Sequence, residues 1–84
     1  MKRILWRDNF RRITEDNGRR FVSVEWEDGE NHMRNRSDAA RTVAFRMGPG
    51  FTVGAFVDVW YARRFDGHPA RYRRYAIVRT NNGK

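Results

Sequence analysis

The chain has 84 residues and no cysteine, and its 18 Lys and Arg against 10 Asp and Glu give a formal charge of +8. That length supports one modest core and a function carried on a surface rather than in a cleft between domains. Without thiols, a disulfide framework, a cysteine nucleophile and a Cys-based zinc site are excluded, and a reducing compartment fits best.

Most of the cations are Arg, whose planar fork pairs with phosphate or carboxylate and stacks on rings. A GC-rich coding sequence enriches Arg as well, so the distribution matters more than the total. Residues 1–24 carry a net +4 and residues 58–84 a net +5, whereas Glu25, Glu27, Asp28, Glu30 and Asp38 make residues 25–38 locally −3. An acidic segment therefore sits between two basic ones, where it is placed to cover part of one of them. The longest apolar stretch, Phe51 to Tyr61, is interrupted by Thr52, Gly54 and Asp58, and the Met1 to Trp6 start has no apolar signal core. A soluble, cytoplasmic protein with no membrane partner is expected, as one domain over residues 1–84.

In chain order, the first fourteen residues fit two patterns. Trp6, Phe10 and Ile13 form a helical stripe, while Ile4, Trp6 and Phe10 also suit a strand. The strand is preferred because Phe10 to Thr14 runs into Asn17-Gly18, the dipeptide suited to a type I′ turn. Phe21 to Trp26 alternates with period two, Val22, Val24 and Trp26 on one face. Asp28-Gly29 predicts a second hairpin that places Met33 opposite Val24 if its loop is two residues long, with polar Glu30 to Arg36 as an edge strand or an ordered loop. A helix is expected over 37–47, capped by Ser37, with Asp38 in its first turn and Gly48-Pro49 as its stop. Ala40, Val43, Ala44 and Met47 would form its buried stripe, leaving Arg41 and Phe45 on another side. Strands return from Phe51 to Tyr61 and from Tyr72 to Thr80, around an Asp66 to Ala70 turn. Pairing Phe65 with Arg71 would set Tyr61 against Tyr75 and Val59 against Ile77. The predicted fold class is α+β: an antiparallel sheet of four to five strands with one helix on one face, in the order β-β-(β)-α-β-β.

That register gathers Phe56, Trp60, Tyr72, Arg64 and Arg74 on the face opposite Val59 and Ile77. Aromatics interleaved with Arg on an open sheet face form a platform for bases and phosphates, unless Phe56 and Trp60 pack beneath the N-terminal segment. Arg63, Arg64, Arg71, Arg73, Arg74 and Arg79 concentrate charge on the same hairpin, which positions phosphates or protects a sheet edge. Phe45, Arg41 and Trp60 are the residue types of a protein-binding hot spot. His32 and His68 are too few and too far apart for a metal site, and Glu25 with Glu27 suits a salt bridge to Arg34 or Arg36 better than a divalent ion. No metal, cofactor or catalytic motif is expected. His68 with Arg71, Tyr72 and Arg73 would be the only constellation for a toxin-like ribonuclease.

The layout of a strand pair from Phe21, an Ala-containing helix over 37–47 and returning strands from Phe51 resembles small bacteriophage proteins that antagonise host machinery. These include the T7-type inhibitor of host RNA polymerase and several anti-CRISPR proteins. Many such inhibitors are acidic mimics of nucleic acid. With a charge of +8, the resemblance implies instead a grip on an acidic surface of a host nucleoprotein complex, or competition through nucleic acid. The expected function is thus non-enzymatic binding of nucleic acid or of such a complex, with a homodimer through the polar edge strand as a further option.

Overall fold

Asn17 and Gly18 turn the chain with φ of 54° and 82°, left-handed values that Asn and Gly adopt at least cost and that match the twist of the strands they join. A computed structural model describes residues 2–80. Residue 1 and residues 81–84, the ends of the span expected as one domain, lie outside the described residues. The elements are β1 (Lys2–Arg7), β2 (Arg11–Asp16), β3 (Arg19–Glu25), α1 (His32–Met47), β4 (Phe51–Arg63) and β5 (Pro69–Arg79). They form one antiparallel five-stranded sheet ordered β1-β2-β3-β5-β4, with α1 packed on it. The α+β class is therefore as expected, and the ambiguous N-terminus is a hairpin of two strands. Its connection is shaped by Asp8, whose Oδ1 accepts from the backbone N–H of Phe10 (2.8 Å) and of Arg11 (2.7 Å).

β5 pairs antiparallel with both β3 and β4, so β3 and β4 run parallel with β5 inserted between them. The helix is the crossover of this split β-α-β unit. Beneath it, Ile13, Val22, Val24, Ala39, Val43 and Tyr75 form the buried core, flanked by Trp6, Met47, Phe51, Val53 and Ile77. No described helix is long and apolar enough to cross a membrane.

Three local expectations are corrected. The helix begins five residues before its predicted start, because Asn31 in an extended conformation accepts the Arg34 N–H at 2.8 Å and provides the cap. Glu30 to Arg36 is consequently a loop and a helical turn, not an edge strand opposite Val24, and it has no open ladder for a dimer. Met33 is 81 % exposed, and Asp38 lies in the second turn, bonded to Arg11. The buried stripe is also rotated: Asn35, Ala39, Thr42 and Val43 face the sheet, while Ala40 is half-buried and Ala44 exposed. Thr42 is tolerated there because its hydroxyl donates to the Asp38 carbonyl at 2.9 Å. Gly48, at φ 87°, ends the helix where the sequence placed its stop.

Lastly, the β4-β5 turn closes at Arg64–His68, with Asp66 Oδ1 accepting the His68 N–H at 3.1 Å. Pro69, which has no N–H to give, starts β5. Tyr61 therefore pairs with Arg71 and Val59 with Arg73, four residues away from the predicted register.

If Asn31 is the true cap, Asn31→Ala should cost about 1 kcal/mol. Ser37→Ala, at an exposed position inside the helix, should stay within about 0.5 kcal/mol. Urea denaturation followed by far-UV circular dichroism distinguishes the two.

Candidate nucleic-acid interface

The face of the sheet without a helix is not an open platform. Arg12, Thr14, Ser23 and Tyr72 are all buried on that face, because the sheet curls until its two edge strands approach one another. Lys2 Nζ lies 4.7 Å from the Trp60 ring centroid and the Arg7 guanidinium 4.6 Å from that of Phe65. Arg12 Nη2 donates to the Arg63 carbonyl, and its guanidinium stacks at 5.3 Å on Trp60 and 5.0 Å on Tyr72. Trp60 and Tyr72 are thus lining of a closed face rather than stacking surfaces for bases. Burial raises the Tyr72 pKa above its ordinary value, with the Arg12 charge opposing it, and burial likewise raises that of Tyr75.

Phe56 is separated from this pair by backbone irregularity. The β4 register shifts on both sides of it, so Val53 and Phe56 both oppose helix-side residues, Ile77 and Tyr75, while Asp58 and Trp60 oppose Arg74 and Tyr72 on the far side. Strict alternation cannot show this, since each bulge resets the parity. Phe56 packs edge-on against His32 (4.8 Å) and Tyr75 (5.8 Å). His32 Nδ1 is 3.2 Å from the Tyr75 hydroxyl, so the imidazole is part of this aromatic cluster. Among the described residues no group of three or more metal-ligating side chains converges.

The cations of the β4-β5 hairpin are largely engaged. Arg64 pairs with Glu25 at 2.5 Å and lies 3.8 Å from Glu27, Arg71 pairs with Asp28 at 2.9 Å, and Arg74 with Asp58 at 2.8 Å. The bond to Glu25 raises the Arg64 pKa. Glu25 and Glu27 thus take Arg64, not Arg34 or Arg36 as expected, and the acidic segment covers the basic hairpin. Arg71 and Arg73 stack on Trp26 at 4.1 and 4.2 Å, and Arg73 Nη1 donates to Asn35 Oδ1. Arg63 reaches back to the Gly67 carbonyl at 2.8 Å.

The other constellations divide in the same way. His68 is exposed on the turn, whereas Tyr72 is buried on the face opposite Arg71 and Arg73, so these four do not share a surface. Phe45 is 78 % exposed on α1 near Arg41, but Trp60 lies across the sheet from both.

Of the predicted phosphate ligands, Arg79 has company that sequence reasoning missed. The pairing of Arg20 with Ile77 and of Phe51 with Arg79 brings the start of β3, the start of β4 and the end of β5 together around a groove of about 760 Å³. Arg19, Arg20 and Arg79 line it with Phe21, Phe51 and Arg74, and no carboxylate does. Arg20 and Arg79 stack on Phe51 at 5.6 and 5.1 Å, and Arg74 on Phe21 at 4.8 Å. Arg20 Nε is a buried donor without a protein acceptor. The acids beside it are Asp58, bonded to Arg74, and Glu15 and Asp16 on β2, opposite Arg20 and Arg19 in the β2-β3 register, with Glu15 bonded to Arg3. The sequence did signal the charge of both basic segments; what it lacked was the β3-β5 pairing that joins them.

Comparison with protein-family models, with curated proteins and with solved structures returns no match for this chain.

Because Tyr72 and Tyr75 ionise less readily folded than unfolded, their contribution to stability is complete below the ordinary tyrosine pKa of about 10 and declines as pH rises above it. In alkaline titration, phenolate absorbance from these two residues should appear together with loss of the circular dichroism signal. Ionisation of all three tyrosines with the fold intact would contradict their burial.

Proposed function

We propose that this chain is a non-enzymatic nucleic-acid-binding domain that grips the phosphate backbone in the groove between the β2-β3 turn and the ends of β4 and β5. The observation that carries this reading is the trio Arg19, Arg20 and Arg79 on a groove wall without a carboxylate. A guanidinium stacked on a ring gives up little hydration and keeps its N–H edges for phosphate oxygens, so Phe51 preorganises Arg20 and Arg79 as anion ligands. Arg residues already occupy the ring faces of Phe51 and Phe21, which disfavours base stacking. Contacts of this kind position a strand without reading its sequence.

The hairpin cations are weaker candidates for this role. A phosphate approaching Arg64, Arg71 or Arg74 meets Glu25, Asp28 or Asp58 at the same site, and displacing a paired carboxylate offsets most of the gain.

Three phosphate contacts should give a slope of about −2.7 for log affinity against log salt on duplex DNA, so affinity should fall about 40-fold between 50 and 200 mM salt. The double variant Arg19→Gln with Arg79→Gln should lower that slope to about −0.9, while Arg71→Gln should leave it nearly unchanged. Fluorescence anisotropy with a labelled duplex measures both. Salt-sensitive binding that survives the double variant, or no binding at low salt, refutes the reading.

A further inference from the structure

The last two turns of α1 and the β1-β2 hairpin enclose a second groove, of about 670 Å³. Its apolar wall is Trp6, Ala44 and Phe45. Phe45 is 78 % exposed, the position of a large ring least expected on a surface that meets only water. Beside it, Arg46 stacks at 4.4 Å on Trp6 and 4.9 Å on Phe45, and it has no carboxylate among the described ion pairs. Arg41 reaches its single carboxylate, Asp38, only at 3.9 Å, with its side chain 72 % exposed.

The charge pattern around this groove is local and one-sided. From Ala39 to Phe56 the sequence contains Arg41 and Arg46 and no acid. The two acids near the groove, Asp8 and Asp38, are drawn inward by Arg11, which bonds Asp8 Oδ2 at 3.0 Å and Asp38 Oδ1 at 3.4 Å. Arg11, Arg41 and Arg46 against these two acids leave the groove one positive charge in surplus, and stacking holds the fork of Arg46, which has no acid of its own among the described ion pairs, in place for a carboxylate.

We propose that this groove docks an acidic amphipathic segment of a protein partner, with an apolar side chain between Trp6 and Phe45 and carboxylates on Arg41 and Arg46. An apolar side chain in a groove beside cations is how helical peptides with acidic flanks are recognised. Nucleic acid suits it less than it suits the Arg19, Arg20 and Arg79 groove, because a phosphate backbone leaves the apolar wall of Trp6, Ala44 and Phe45 unfilled. A second copy of this chain fits less well: of its exposed acids, Glu27 and Asp28 flank no exposed ring, since Trp26 is half-buried beneath Arg71 and Arg73, and the ring beside Asp66, Phe65, already carries the Arg7 guanidinium at 4.6 Å. The proposal does not depend on the nucleic-acid reading and uses none of the same residues.

The test is a titration of the isotope-labelled full chain, followed by amide and indole NMR shifts, with a synthetic amphipathic peptide of Leu, Phe and Glu. Saturable shifts are expected at Trp6, Ala44, Phe45 and Arg46, and none at Arg19 or Arg79. Replacing every Glu of the peptide by Gln should abolish the shifts. Phe45→Ala and Arg46→Gln, both at exposed positions and checked for an unchanged melting temperature, should each weaken binding about tenfold. Absence of saturable shifts, equal binding of the Gln peptide, or equal binding by both variants overturns the proposal. Phe45-dependent dimerisation in sedimentation would overturn it too, by assigning the groove to a second copy. A labelled oligonucleotide that shifts the same resonances more strongly than the peptide would likewise overturn it.

Discussion

A guanidinium almost shut off from water holds the sheet in its curl. Arg12 reaches from β2 to the carbonyl of Arg63 at the end of β4, strands that are not neighbours in the sheet, and stacks on Trp60 and Tyr72 on the way. One helix covers one side of a five-stranded sheet; the other side has to be wet, covered by another element, or folded against itself. Here it is folded against itself. Arg suits that position because its delocalised charge is weakly hydrated and tolerates an aromatic environment that a lysine ammonium would not. The closure is imperfect in one respect: Arg12 Nε, Ser23 Oγ and Tyr72 Oη are buried without protein partners, so burial of this face is partly offset by lost hydration.

The curl decides which aromatic groups reach solvent. Trp60 and Tyr72 are consumed by the closed face, and the bulges around Phe56 turn that ring to the helix side, where it joins His32 and Tyr75. Phe45, Tyr61, Phe65 and Phe10 are exposed, Phe56 keeps a partly exposed edge, and half-buried Phe51 lies under Arg20 and Arg79. Both candidate surfaces thus combine a ring with arginines stacked on it. They differ in charge: four arginines and no carboxylate line the first, whereas Asp8 lines the second beside Arg11, Arg41 and Arg46.

Charge distribution follows from the same topology. Inserting β5 between β3 and β4 places the acidic segment that leaves β3 next to the β4-β5 turn, so Glu25 and Asp28 neutralise Arg64 and Arg71. At the opposite end of the same strands, the β2-β3 turn meets the end of β5, and the acids there, Glu15 and Asp16, stay on β2 outside the groove. The excess charge of the chain therefore emerges far from its densest basic run in sequence, Arg71 to Arg74.

By itself, the sequence determined the elements whose signals are local. The left-handed turn at Asn17-Gly18, the alternation around Val22 and Val24, the helix stop at Gly48 and the strands on either side of the 64–68 turn all rest on neighbours within a few residues, and an α+β sheet with one helix follows from their order. The acidic cover on the basic hairpin was legible too, as a charge contrast between adjacent segments. Where two local signals competed, tertiary structure chose. Asn31 displaced Ser37 as the cap because the polar residues between them face solvent as readily in a helix as in an edge strand, and only packing of Asn35 and Ala39 against the sheet separates the two. The candidate site was the least legible part. Which arginines remain free depends on the β3-β5 register, two bulges in β4 and the closure by Arg12, each a contact between residues distant in sequence that no periodicity encodes.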